Sequence, residues 1–422
     1  MAVAPGLDPA AFALGGKAPQ RALAPASLDE LSAILKACDA AGEAAVIFGG
    51  GTLQGLGFAP ARYDVALSTA HLDAVLEYEF RDLTIAVESG LSVARLNATL
   101  AERGQFVPLD APWPERSSVG GVLASGWCGP RRALYGRGRD FVIGTTVVLP
   151  DGTIAKAGGM VVKNVTGYDM SKLWCGSLGT LAALARVNFK TLPLPETSRV
   201  ALAPLPEGTR QRALDAVIEL DLEPAAALAL YGFDEAGGRD AFEGRLFVMF
   251  EGSQAVVERA TRDLRSALGA AGVPETTLLD GAAAANAFAR LLDAYTARLG
   301  QRSLTYRSSG LPADAVERRD ALARAAQKRD LRVETLLDLL GGDAYVRVST
   351  ESTAQFALAA PALDASLARG GTNQTIFNAP ETLRDSLAMW GTRSSPLEIQ
   401  RDVKARFDPK GTLAPGRFIG RI

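Results

Sequence analysis

Histidine is nearly missing: His71 is the only one in 422 residues. That excludes any site built on two histidine ligands, and a histidine-based triad would have to use this residue. Cysteine is sparse too. Cys38, Cys128 and Cys175 are too few and too far apart for a four-cysteine zinc or iron–sulfur centre. An odd, small count also argues against a disulfide framework and fits a reducing compartment. Basic surplus is lacking, since 45 Lys and Arg face 47 Asp and Glu for a net charge of -2. No nucleic-acid partner is expected on that balance. No uninterrupted apolar run reaches about 18 residues, so no membrane span is expected. The first twenty residues lack the basic start and apolar core of a signal peptide. A cytoplasmic location is expected, at most peripheral at the inner face of a membrane through a partner.

What is present fits a globular chain: 48% apolar and 22% charged residues, enough for two or three domains at this length. Ser27 and Glu30 form a capping box ahead of a helix to Ala41, with Gly42 as its stop. Leu28, Leu31, Ile34, Leu35 and Cys38 share its apolar stripe. A short strand, Ala44 to Phe48, runs directly into glycines. Alternating patterns predict hairpins over 75–89 and 143–157, the second turning at Pro150-Asp151-Gly152. Ser92 caps a second helix, and a strand covers Leu184–Leu192. Pro193-Leu194-Pro195-Glu196 punctuates the chain and marks a domain boundary. Beyond it, strands are expected near 199–203, 227–231, 246–251, 303–308, 344–349 and 372–377. Helices are expected near 209–220, 254–271, 285–299, 312–328 and 397–407. The mixture predicts an α+β fold with an antiparallel sheet in its second lobe.

Three glycine-bearing stretches carry most of the chemistry. Gly49-Gly50-Gly51-Thr52-Leu53-Gln54-Gly55-Leu56-Gly57 leaves a strand, and a glycine run lets successive N–H groups point into one concavity that suits a pyrophosphate. It is not a Walker loop, since no Gly-Lys-Ser/Thr follows. Gln54 breaks a Gly-x-Gly-x-x-Gly dinucleotide fingerprint, which disfavours a nicotinamide-binding fold. Thr52 is expected to add a hydroxyl donor. Ser117-Ser118-Val119-Gly120-Gly121-Val122-Leu123-Ala124-Ser125-Gly126 follows, with small residues that let a helix start approach a planar or anionic ligand. The third is Gly176-Ser177-Leu178-Gly179-Thr180-Leu181, entering a strand. Each alone reads equally as a tight turn or a packing contact; the ordered set is specific.

With these loops in order, the chain resembles the FAD-binding domain of vanillyl-alcohol-oxidase-type (PCMH-type) flavoproteins, and more narrowly the E-subunit family of bacterial glycolate oxidases. Further matching segments are Pro108-Leu109-Asp110-Ala111-Pro112-Trp113-Pro114-Glu115-Arg116, Gly129-Pro130-Arg131-Arg132, Tyr135-Gly136 with Arg139-Asp140, and Val162-Lys163-Asn164-Val165-Thr166-Gly167-Tyr168-Asp169. Phe407-Asp408-Pro409 and Pro415-Gly416-Arg417 fit the family's closing motif. The likeness is dense over 27–195, sparse through the middle, and returns over the last 50 or so residues. Where the family often has Gly-Thr-Leu-Gly and then polar residues, this chain has Gly179-Thr180-Leu181-Ala182 and Ala183-Leu184-Ala185, whose added methyls would narrow the adenine end of the site.

The resemblance implies a two-lobed protein: an FAD-binding domain over 22–195, an α+β cap for substrate or partner over 196–370, and a segment over 371–422 returning to the FAD domain. It implies cofactor contacts from Gly49, Gly50, Gly51, Thr52, Leu53, Gly55, Pro108, Ser118, Gly120, Gly121, Ala124, Ser125, Gly126, Gly176, Gly179, Leu184 and Arg417. Lys163, Asn164 and Tyr168 are expected to brace the loops, and Trp113, Trp127 and Trp174 to pack around them. Relatives that tether FAD use a His or Cys near the loops. Here His71 reads as a turn residue and Cys128 as a small buried thiol, so the FAD is expected to be non-covalent. No metal is expected, because the relatives' metal is held by paired histidines. The activity implied is oxidation of a small 2-hydroxy acid of the glycolate or D-lactate type, or relay of its electrons beside a D-type flavoprotein and an iron–sulfur subunit. The alternatives are a self-sufficient dehydrogenase and a cofactor-free interaction scaffold. A self-sufficient enzyme would want a guanidinium for the substrate carboxylate. Arg307 is the candidate, with Tyr306, Tyr345 and Asn373 as possible neighbours; it could equally be a solvated strand charge.

Overall fold

A computed structural model describes residues 7–163, 167–232, 244–296, 303–350, 352, 354, 359, 373–381, 383–391 and 396–422. The chain forms two compact units. The first comprises Met1–Cys128, Arg137–Leu194 and Ser394–Ile422; the second comprises Gly129–Gly136 and Pro195–Arg393.

In the first unit, β1 (Arg21–Leu23), β2 (Ala45–Phe48) and β3 (Val65–Ser68) form a parallel sheet in the order β1-β3-β2. Helix α1 (Leu28–Ala41) starts where Ser27 Oγ accepts the Glu30 N–H at 3.2 Å. The Glu30 carboxylate accepts the Ala26 N–H at 2.8 Å, one residue before the partner a capping box uses. Gly42 ends the helix in the left-handed conformation at φ 69°. Leu31, Leu35 and Cys38 of α1 pack with Val65 and Leu67 of β3 in the core. The edge of β2 is covered from far along the chain: Ala45 donates to the Thr412 carbonyl at 2.7 Å and accepts the Ala414 N–H at 2.8 Å.

A second, antiparallel sheet of this unit runs β4-β5-β9-β7-β8. Its strands are β4 (Val75–Glu79), β5 (Thr84–Glu88), β7 (Val142–Val148), β8 (Ile154–Gly158) and β9 (Ala183–Lys190). Helix α2 (Val93–Ala101) is capped by Ser92, and the short β6 (Gln105–Phe106) pairs with β10 (Leu192–Pro193). Helix α3 (Val119–Ser125) lies between the first and third glycine stretches in sequence.

The second unit is built on an eight-stranded antiparallel sheet in the order β14-β11-β13-β12-β16-β17-β15-β18. Its strands are β11 (Thr197–Leu205), β12 (Ala226–Tyr231), β13 (Gly244–Gly252), β14 (Thr277–Asp280), β15 (Ser303–Ser309), β16 (Arg332–Asp338), β17 (Asp343–Ser349) and β18 (Asn373–Asn378). Two strands, β14 and β16, were not expected from the sequence. Strand β18 pairs with β15, so the segment expected to rejoin the first unit from 371 begins as an edge strand of the second. The helix Gln254–Ala270 buries Val257, Ala260, Leu264 and Leu268, a face spaced at helical period. The excursion Gly129–Gly136 is pinned to this sheet by Arg132, whose guanidinium fork reaches Asp343 at 2.6 Å and Asp338 at 2.7 Å. Both carboxylates are buried, so neither partner could be removed without stranding a charge.

Candidate active site

The glycine stretches meet in one cleft of the first unit, about 810 Å³ in volume. Gly49, Gly50, Gly51, Thr52 and Leu53 come from the turn after β2; Ser118, Gly120, Gly121, Ala124 and Ser125 from the start and face of α3; Gly179 and Leu184 from the approach to β9 and its first residues; and Arg417 from the C-terminal segment. Further residues of the wall were not expected as cofactor contacts, among them Ile47, Gln54, Thr69, Ser89 and Leu178; Trp174, expected to pack nearby, and Ala182, expected to narrow the adenine end, line it too. Thr69 and Ser89 lie just beyond the ends of β3 and β5, outside the three glycine stretches.

Glycine is required here by close approach. A Cβ on Gly50 would sit 1.5 Å from the Arg116 carbonyl oxygen, and one on Gly49 would sit 1.9 Å from Ser118 Oγ. The N–H groups of Gly50, Thr52 and Leu53 have no acceptor among the described residues. A row of such donors beside a cleft favours an anion. Ser118 Oγ accepts the Gly121 N–H at 3.2 Å, which leaves its own proton for another acceptor. Thr52 differs from expectation. Ser117 Oγ donates to the Pro112 carbonyl at 2.6 Å, so the 2.9 Å contact between Thr52 and Ser117 must use the Thr52 proton. Thr52 therefore ties the first loop to the second and offers a lone pair instead of a donor.

Four of the expected residues do not line the cleft. Gly126 closes α3 at φ 65°, and a Cβ there would lie 3.2 Å from the Gly176 Cα. These two glycines serve backbone against backbone: Gly176 and Leu178 donate to the Leu123 and Ala124 carbonyls at 2.9 and 2.8 Å, docking the third loop onto the end of α3. Gly55 lies in the turn after β2 behind Leu53, and Pro108 is buried beside Leu109. Of the four residues that depart from the family pattern, Ala183 and Ala185 point into the core, while Ala182 and Leu184 line the cleft.

The C-terminal segment braces two of the loops. Arg417, 3% exposed, donates to Gln54 Oε1 at 2.8 Å and to the Gln54 and Leu56 carbonyls at 3.2 and 2.8 Å. Among the described residues it is the only charged side chain lining the cleft, and a cation there favours an anionic ligand. Lys404 is buried and donates to the Thr180 carbonyl at 2.7 Å, the Leu413 carbonyl at 2.8 Å and Asp408 Oδ2 at 2.5 Å. Burial pulls its pKa down, and the Asp408 carboxylate opposes that. Asp408 also accepts the Thr412 and Leu413 N–H groups, both at 2.8 Å. Trp174 lines the cleft and meets Phe407 edge-on at 5.2 Å.

His71 is exposed in a turn and Cys128 is buried; neither lines the cleft. Lys163 and Tyr168 are exposed and stand outside it, and Asn164 lies outside the described residues. Trp127 is buried and donates to the Asp110 carbonyl at 2.7 Å, while Trp113 adopts a positive φ of 45°. Arg307 belongs to the second unit. It is half-buried on β15 opposite Tyr345, its guanidinium lies 5.4 Å from the Phe377 ring, and it makes no ion pair among the described residues. Among the described residues no group of three His, Cys, Asp or Glu could hold a metal, and no helix is long and apolar enough to cross a membrane.

Residues 19–158 match the family of FAD binding domains. The chain is similar to glycolate oxidase subunit GlcE of Escherichia coli (strain K12), 29% identical over 350 residues that cover 82% of this chain and 85% of that one. It is 35% identical to glycolate oxidase subunit GlcD of Bacillus subtilis (strain 168) over 185 residues, 44% of this chain and 39% of that one. Its fold is shared with p-cresol methylhydroxylase with substrate bound, at a TM-score of 0.73 and 15% identity, covering 95% of this chain and 88% of that one.

Proposed function

We propose that this chain, whose residues 19–158 match FAD binding domains and which is similar to glycolate oxidase subunit GlcE, is an FAD-dependent oxidoreductase subunit of the vanillyl-alcohol-oxidase type that oxidises a small 2-hydroxy acid or relays its electrons. The observation that carries the reading is the meeting of three glycine loops, with the acceptor-less N–H groups of the first and the cation Arg417, in a single cleft among the described residues. The donor set fits a dinucleotide. Gly50, Thr52 and Leu53 offer N–H groups to a diphosphate, and the Ser118 hydroxyl adds a donor. Small residues at Gly120, Gly121 and Ala124 leave room for a flat ring system against α3. FAD, when bound, supplies the two-electron acceptor for turning an alcohol into a ketone or aldehyde. The protein holds it without a bond, because among the described residues the cleft wall offers no histidine or cysteine.

Among the described residues the same wall offers no carboxylate and no imidazole to take a proton from a substrate hydroxyl. That favours a subunit working with others, a second flavoprotein of the D type and an iron–sulfur protein. Similarity to two different glycolate oxidase subunits supports the same view. Arg307 favours a second reading, a self-sufficient dehydrogenase: a half-buried guanidinium without an ion-pair partner among the described residues is chemically suited to a substrate carboxylate. Purified protein should be yellow and release intact FAD into the supernatant on acid denaturation. A colourless protein that takes up no FAD ends both readings and leaves the scaffold. Bleaching of the isolated yellow protein by glycolate or D-lactate selects the self-sufficient enzyme; bleaching only after a partner is added selects the subunit.

A further inference from the structure

Ser89 directly follows the last residue of β5 inside the cleft, and its backbone is fully used. Its N–H donates to the Ala185 carbonyl at 2.9 Å, and its carbonyl accepts the Gly120 N–H at 2.7 Å. These two bonds fix the residue between β9 and α3. Its side chain is 1% exposed, lines the cleft, and its hydroxyl has no hydrogen-bond partner among the described residues. Gly120 is what lets it stand there: a Cβ at that position would come within 2.7 Å of the Ser89 Cβ. A buried hydroxyl with no partner is costly, and a folded chain rarely keeps one without a use. Thr84, on the same strand, has an equally buried and partnerless hydroxyl but does not line the cleft. The pair separates a hydroxyl in the wall from one in the core.

We infer that the Ser89 hydroxyl is a binding residue that hydrogen-bonds the flavin dinucleotide held in this cleft. The inference rests on the FAD reading above. The glycine loops need only their backbone to grip a diphosphate, whereas Ser89 supplies a side-chain contact that a substitution can delete without touching the main chain. Ser89→Ala removes one neutral hydrogen bond, so the FAD dissociation constant should rise about five- to tenfold. Because the hydroxyl has no protein partner to lose, the apo-protein's thermal midpoint should stay the same or rise.

The test strips the flavin from the full-length chain and titrates FAD back, following flavin fluorescence, for the parent, Ser89→Ala and Thr84→Val. Ser89→Cys is a third variant that nearly keeps the side-chain volume with a weaker donor. Weaker binding in Ser89→Ala and, to a smaller degree, in Ser89→Cys, with Thr84→Val unchanged and the Ser89→Ala apo midpoint not lowered, supports the contact. Parent-like affinity in Ser89→Ala overturns it while the parent's own binding leaves the FAD reading standing. A lowered apo midpoint together with weaker binding makes Ser89 a structural residue and also overturns it. A parent that binds no FAD removes both the contact and the reading beneath it.

Discussion

Lys404→Met tests whether the C-terminal segment sets the shape of the cofactor cleft. The methionine keeps the stem's volume and deletes an ammonium bonded to Thr180, Leu413 and Asp408. Asp408 is 2% exposed, so its carboxylate is left buried without a counter-charge, although two backbone N–H groups still reach it. Breaking a buried pair in this way costs about 3–5 kcal/mol. A unit of this size loses about 2–4 °C per kcal/mol, so the midpoint of the first unit should fall by about 6–20 °C. Thr180 loses its anchor at the same time, so FAD should leave the variant faster than the parent during gel filtration. Adding Asp408→Asn removes the stranded charge while keeping an acceptor for at least one of the backbone donors, and should recover much of the lost stability. Calorimetry on the parent, the single and the double variant gives the answer. A single variant within about 1 kcal/mol of the parent, or a double variant no better than the single, refutes the reasoning.

Two further expectations concern backbone and thiols. Gly50→Ala should abolish FAD binding and destabilise the first unit, because its methyl meets a backbone carbonyl at 1.5 Å. Gly51→Ala has open space around it but a φ of +71°, so it should cost only about 1–2 kcal/mol; equal losses in urea melts of the two variants would contradict the account. Burial pushes the Cys38 and Cys175 thiols up from 9.0 to about 11. Two pH units mean roughly a hundredfold less thiolate at pH 8, so neither should be alkylated by iodoacetamide until the chain unfolds; peptide mapping that finds Cys175 labelled in the native protein at the unfolded rate would reject this. The linked stability is present in full below about pH 9 and declines as pH rises towards 11, since the unfolded chain releases those protons first.

Much of the first unit was legible because its signals are local. Ser27 with Gly42 delimits α1, and the glycine runs sit at strand and helix ends where backbone conformation depends on the residue itself. What local signals hide is pairing. Strand β16 opens Arg332-Val333-Glu334-Thr335, which looks half polar. Glu334 is nonetheless buried, because it faces Arg347 across the sheet and binds its Nε at 3.0 Å. Gly126 and Gly176 were legible as special but not as to purpose. Only the fold shows that Gly126 makes room for the Gly176 backbone, while Gly176 is held to glycine by its positive φ. Thr52 likewise carries the expected hydroxyl, yet a partner 65 residues away decides the direction of its proton. Ser89 had no signature, because a lone serine after a strand gains meaning only from the wall it joins.

The second unit is spliced into the first, with most of it falling between Leu194 and Ser394. A ribosome must therefore finish the eight-stranded sheet before it makes Lys404 and Arg417, the residues that steady the cleft's loops. Flavin loading is thus a late event in the life of each molecule. Bulky fusions at the tail, or breaks in the last thirty residues, would yield chains that fold their middle correctly and still come out pale.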